Sequence, residues 1–212
     1  MTIGGRWLSV SVAAACFTMP APAQTPFVSG GASVVGIHSQ GVTSGVATRT
    51  SGTMLGGVAT ARFGRADVEG RYIQGALQGR DFVQGQLGVG FHPAPWVEAH
   101  AAVRARAYIT PTETERWVTW LLGVRVESGL VSTRGSTVRG DVGLWRALAL
   151  SANVGSTDGQ AGRGGEAGVT LQTSDRPWWF RVSYGIDRSA VAGASRRETV
   201  EEFTLTVGIR RR

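Results

Sequence analysis

The most constraining feature of this chain is a strict two-residue alternation, clearest from Trp96 to Ile109. One set is Val97, Ala99, Ala101, Val103, Ala105, Ala107 and Ile109, all apolar; the other is Trp96, Glu98, His100, Ala102, Arg104, Arg106 and Tyr108, rich in charge. Successive side chains of a strand point to opposite faces, so a strand separates the two sets, whereas a helix would mix them all round. The alanines therefore do not argue for a helix here. Fourteen residues is long for a soluble strand and suits one crossing a bilayer at a tilt.

The first residues suggest where the chain is sent. Arg6 is a positive n-region, Trp7 to Met19 a short apolar run, and Ala21-Pro22-Ala23 a small-x-small cleavage site. Met1–Ala23 is thus expected to be a signal peptide, leaving residues 24–212 as one barrel domain. That domain holds no cysteine, because Cys16 is the only one, and disulfides contribute nothing to it. It has no run of about 18 apolar residues for a membrane helix. If it enters a membrane it must do so as a closed barrel, which pairs every backbone group.

Alternation recurs along the chain. It predicts strands over Phe27–Ser39, Ser51–Phe63, Ala66–Leu77, Phe82–Phe91, Trp96–Ile109, Arg116–Glu127, Ala147–Val154, Glu166–Thr173, Trp178–Arg188 and through Phe203, Leu205, Val207 and Ile209. Short turns fall at Gly64-Arg65, Gly79-Arg80-Asp81, His92–Pro95 and Ser174–Pro177, and longer polar loops at Gln40–Thr50, Thr110–Glu115, Gly155–Gly165 and Ser189–Thr199. Ser128–Arg146 admits two readings: a strand ending at Trp145-Arg146, or one longer strand running on to Val154. The expected count is about ten, with eight or twelve as the alternatives.

The signal-like start, the alternation over nearly all of the remaining chain and the Phe203-Leu205-Val207-Ile209 ending resemble the small outer-membrane β-barrel proteins of diderm bacteria. The resemblance is architectural. It implies an all-β, up-and-down antiparallel transmembrane barrel with both chain ends on the periplasmic side, held in outer-membrane lipid and delivered by the barrel-insertion machinery. The chain departs from the family in finishing Ile209-Arg210-Arg211-Arg212 rather than on an aromatic residue. Aromatic residues should then form two girdles. Phe63, Phe91, Trp96, Trp145, Trp178 and Phe180 lie beside the turns of one rim; Trp117, Trp120 and Phe203 lie near the other.

In such a barrel the charged faces turn inward. The lumen is expected to hold Asp67, Glu69, Arg71, Glu98, His100, Arg104, Arg106, Arg125, Glu127, Arg181, Asp187 and Arg210, paired Glu to Arg across neighbouring strands. That predicts a structural role with a filled lumen; a narrow arginine-lined path for small anions is the porin-like variant. The residues after Ala23 carry 21 arginines against 15 carboxylates and no lysine. The arginines are scattered along strands rather than clustered, so no nucleic-acid partner is implied.

No catalytic set emerges. His38 and Ser39 are adjacent and so face opposite ways, His92 lies in a turn, and His100 has Glu98 but no serine on its face. No metal-ligand spacing is present and no cofactor is implied. Arg139-Gly140-Asp141 is an adhesion tripeptide without its loop context. Two rival classes remain. One is a secreted soluble β-sandwich or ligand-binding barrel with its charged face in water; the other is a barrel-embedded hydrolase or acyltransferase.

Overall fold

The computed structural model describes residues 27–43, 45–153, 162–191 and 196–211. Met1–Ala23, most of the Gly155–Gly165 loop, part of the Ser189–Thr199 loop and Arg212 lie outside them.

Ten strands follow one another: β1 (Phe27–Thr43), β2 (Val46–Phe63), β3 (Ala66–Leu77), β4 (Arg80–Ala94), β5 (Val97–Ile109), β6 (Thr114–Ser132), β7 (Ser136–Ala152), β8 (Arg163–Thr173), β9 (Trp178–Val191) and β10 (Arg196–Arg211). Each pairs antiparallel with its sequence neighbours, and β10 closes on β1, giving an up-and-down barrel with no free edge. Among the described residues no helix is long and apolar enough to cross a membrane.

The hydrogen-bonded register fixes the tilt. From Phe27, cross-strand partners run through Arg62, Asp67, Gly90, His100, Gly123, Trp145, Gly164, Asp187 and Val200, and return to β1 at Ser39, twelve residues further on. A shear of that size in ten strands inclines them by about 40°. This rung therefore climbs the wall, away from the rim that carries both chain ends.

The strands run longer than the sequence suggested. Gln40–Thr50 is not a loop: β1 reaches Thr43 and β2 begins at Val46, joined at Gly45 with φ +85°. Ser189–Thr199 is likewise mostly strand. The open question at Ser128–Arg146 resolves as a turn at residues 133–135, which Thr133 closes by accepting the Ser136 amide and donating to its carbonyl. The region expected to hold a separate Ala147–Val154 strand is the upper part of β7, with a register shift opposite Trp120/Leu121.

Exposure alternates along the middle of the wall, and there the outward set is the apolar one: on β6, Val118, Trp120, Leu122, Val124 and Val126 face out. On β2 the outward apolar run is Phe63, Ala61, Ala59, Gly57 and Leu55; on β10 it is Ile209, Val207, Leu205 and Phe203. With a strand rise of about 3.3 Å and this tilt, the belt stands about 20–25 Å tall, close to the apolar band of outer-membrane barrels.

Candidate functional site: the barrel lumen

All eleven charged residues and His100 assigned to the lumen from the sequence face inward. The structure divides them into two linked networks. Nearer the chain-end rim, Arg125 reaches Glu98 at 3.1 Å and lies 4.0 Å from both Glu69 and Asp141. Arg181 donates to both oxygens of Asp141 and to Glu166 at 2.5 Å. Glu127 takes Arg139 at 2.8 Å, on a half-exposed stretch of wall. Arg210 stacks over Phe27, its guanidinium 5.0 Å from the ring centroid.

Higher up, the pairs cross the lumen instead of joining neighbouring strands. Arg104 and Arg106 of β5 reach Asp187 of β9 at 3.1 and 3.2 Å, and Arg106 meets Glu198 of β10 at 3.3 Å. Arg71 of β3 pairs with Glu202 of β10 at 2.8 Å. Gln84 and Gln86 accept from the Nε atoms of Arg106 and Arg104 at 2.8 and 2.9 Å, and Tyr108 donates to Glu198 at 2.5 Å. Each buried guanidinium thus meets several acceptors, which such a group requires in a medium poor in water.

Sequence reasoning missed several members. Glu198 falls in the stretch that reads as a loop, Asp141 in the segment with two readings, Glu166 at the very start of its predicted strand, and Glu202 beside the apolar set that defines the last strand. His92 had been placed in a proline turn. In the structure β4 runs on to Ala94, and His92 turns inward to Asp67 at 2.5 Å. Asp67, His92 and Glu98 come within 4.8 Å of one another from three strands. His100 lies 3.7 Å from Glu98, and its Nδ1 has no hydrogen-bond partner among the described residues.

Of the girdle candidates, Phe63, Phe91, Trp96, Trp120, Trp178, Phe180 and Phe203 lie exposed on the outer wall. Trp145 does not. Because β7 is one strand through to Ala152, Trp145 sits mid-strand on the inward face, donates to Asp187 at 3.3 Å, and holds Arg104 over its ring at 5.4 Å. It is accommodated because Gly164 lies beside it: a Cβ there would stand 2.5 Å from the indole. Trp117 is also inward and buried.

A further part of the interior was not anticipated. Val35, Ile37, Met54, Ile73, Leu77, Phe82, Tyr108, Trp117, Ala152 and Val200 form one buried cluster inside the barrel. Phe82 and Tyr108 meet edge to face, with centroids 5.3 Å apart. All lie on the half of their strands away from the chain ends, so an apolar plug fills the lumen at that end. Below it is a cavity of about 350 Å³, lined by Arg71, Glu98, Arg125, Arg181 and Glu202 among others. It reaches the chain-end rim, where Phe27, Glu127, Arg139, Gln172 and Arg210 line it. The site is therefore a polar vestibule entered from one side.

No protein-family model matches the chain, and no curated protein matches it. Solved structures do match along most of its length. Neisserial surface protein A is 12% identical at a TM-score of 0.38, over 89% of this chain and 99% of that one. The translocator domain of the autotransporter NalP from Neisseria meningitidis is 12% identical at 0.38, over 88% of each chain. Ail, the attachment invasion locus protein of Yersinia pestis, is 13% identical at 0.27, over 86% of this chain and 98% of that one. Scores this low carry no argument. The architecture, a closed up-and-down barrel that is apolar outside and polar inside as in outer-membrane barrels, rests on register and exposure.

Proposed function

We propose that this chain is an outer-membrane β-barrel of a diderm bacterium with a structural role, its lumen closed at the outer end and open as a vestibule toward the periplasm. One observation carries the membrane reading: among the described residues thirty-three large apolar side chains are exposed, most of them outward-facing on the strands, from Val28 on β1 to Ile209 on β10. A soluble protein rarely exposes contiguous apolar patches beyond a few hundred Å². A secreted sandwich or ligand-binding barrel would show the reverse arrangement, with the apolar set inside. The plug supports the closed reading over the anion-path variant, because any solute crossing the vestibule would meet Phe82, Trp117 and Leu77 packed together.

Membrane fractionation with a gel run on unheated and heated samples tests the first part. The expected result is recovery with outer membranes and a heat-dependent change in mobility; a protein recovered soluble overturns it. Planar-bilayer recording tests the second. Purified protein should give no large stable conductance steps, and regular open steps would restore the narrow-pore reading.

A further inference from the structure

The outer wall carries an arginine cluster that the lumen does not use. Arg146 on β7 lies opposite Arg163 on β8, and Arg163 opposite Arg188 on β9. Directly paired residues share a face, and all three side chains are exposed. They sit one position above the inward set Trp145, Gly164 and Asp187, so they point out of the barrel. Three like charges in consecutive register oppose one another. Inside the barrel Arg71, Arg104, Arg106, Arg125, Arg139 and Arg181 meet carboxylates, whereas among the described residues none of these three forms an ion pair. On the adjacent strand the outward carboxylate Glu201 lies opposite Ile186, one outward position below Arg188.

Their height is set by the register. Arg188 is ten residues beyond Trp178 on β9, about 25 Å up the wall at the observed tilt. That is the upper edge of the apolar belt, on the rim opposite the chain ends. Below the rung, β7 shows Leu144 and Val142, β8 shows Gly165, Ala167 and Val169, and β9 shows Ile186 and Tyr184. On β10 the change from apolar to polar comes between Phe203 and Glu201, at the same level. The long arginine stems can lie along this apolar surface with their heads in the interface.

We propose that Arg146, Arg163 and Arg188 form a binding site for the phosphate groups of an outer-leaflet lipid headgroup. The proposal rests on the membrane-spanning reading above. Guanidinium groups bind phosphate through paired N–H donors, and neighbouring strands hold these three about 5 Å apart, near enough to share one or two phosphates. The occupant is a lipid rather than a free anion because the apolar surface directly below the rung takes acyl chains, which a free anion does not have. Bound phosphate also resolves the repulsion along the rung.

The test uses the full protein reconstituted in phosphatidylcholine nanodiscs, with retention of added lipid read by native mass spectrometry. The probes are bisphosphorylated lipid A, the same lipid dephosphorylated, and inorganic phosphate as competitor. Wild type should retain the bisphosphorylated lipid at least about tenfold better than the dephosphorylated one. R146Q/R163Q/R188Q should bring the two within about twofold, while Arg163→Lys, which keeps charge but not the fork, should fall between. Equal retention of both lipids by wild type, unchanged discrimination in the triple variant, or displacement of the lipid by an equal concentration of inorganic phosphate each overturns the site. Heat-modifiability of every variant shows that the barrel has formed. Protein that forms no barrel in bilayers overturns the membrane reading together with this site; inserted protein without a phosphate preference overturns this site alone.

Discussion

Asp187 is the carboxylate of the upper network that joins two buried arginines, and Asp187→Asn measures what that network contributes. Three donors end on it: Arg104 Nη1 at 3.1 Å, Arg106 Nη2 at 3.2 Å and Trp145 Nε1 at 3.3 Å. The two arginine side chains are only 9% and 5% exposed. Removing one partner of a buried pair costs about 3–5 kcal/mol when the remaining charge is stranded. Neither arginine is wholly stranded here, since Arg106 keeps Glu198 at 3.3 Å and Arg104 keeps Gln86 at 2.9 Å. The expected loss is therefore about 2–3 kcal/mol, a shift of roughly 30- to 140-fold in the folding equilibrium. Urea unfolding in lipid vesicles, followed by tryptophan fluorescence and by mobility on unheated gels, reads this directly. The control is Glu127→Gln, whose partner Arg139 shares a half-exposed stretch of wall and whose pair should contribute less than about 1 kcal/mol. An Asp187→Asn protein within 0.5 kcal/mol of wild type, taken as roughly the floor of a measurable loss, would refute the argument that cross-lumen pairs hold the upper barrel, as would an equal loss from Glu127→Gln.

Three further outcomes follow from the geometry. Val103→Arg places a charge on the lipid face and should cost about 2–4 kcal/mol in vesicles, more than Arg104→Val; single cysteines at the two positions should react with lipid-phase reagents at 103 and not at 104. Gly208→Ala should lower the urea midpoint and perturb the near-ultraviolet tryptophan signal, because its Cβ would stand 2.3 Å from the Trp179 ring and 2.5 Å from the Gly30 carbonyl oxygen. Phe82→Ala, at a fully buried plug position, should cost about 3–5 kcal/mol and raise conductance in planar bilayers; a silent, equally stable variant would show that the plug neither closes the lumen nor packs it.

How much of this was legible beforehand depends on which physical signal each feature leaves in one dimension. Inward and outward faces were legible because the two surfaces differ in solvent, so Val97 to Ile109 separates cleanly from Glu98 to Tyr108. The ten-strand count was within the sequence range but not resolved by it. The turn at residues 133–135 is bounded by Ser132, Ser136 and Thr137, and short polar residues alone do not locate a turn. The same ambiguity made Gln40–Thr50 read as a loop. Trp145 went astray with the β7 boundary, since an indole beside a rim and one beside an inward glycine look alike until the register is known. The pairing of Arg104 with Asp187 was not legible at all. It depends on a shear of twelve, which brings distant stretches of chain to one height across the lumen and is a property of closure rather than of any one strand.

The plug, by contrast, did leave a trace. Along β3 the inward residues run Asp67, Glu69, Arg71 and then Ile73, Gly75 and Leu77; along β1 they run Ser29, Gly31, Ser33 and then Val35 and Ile37. The outward sets change in the opposite sense at about the same height. On β2, Phe63 to Leu55 is apolar and is followed by Thr53, Ser51 and Arg49; on β10, Ile209 to Phe203 is followed by Glu201, Thr199 and Arg197. One barrel thus has two polarities. Within the belt it is apolar outside and charged inside, as contact with lipid demands; above the belt it is polar outside and apolar inside, as contact with water demands. A barrel in a single solvent gives no reason for the inversion. On the membrane-spanning reading proposed above, its coincidence with the aromatic positions Trp120, Tyr72 and Phe203 sets the water boundary there, and the closed outer end follows from it: among the described residues the upper strands bury an ordinary hydrophobic core, and that core lies across the lumen above the vestibule.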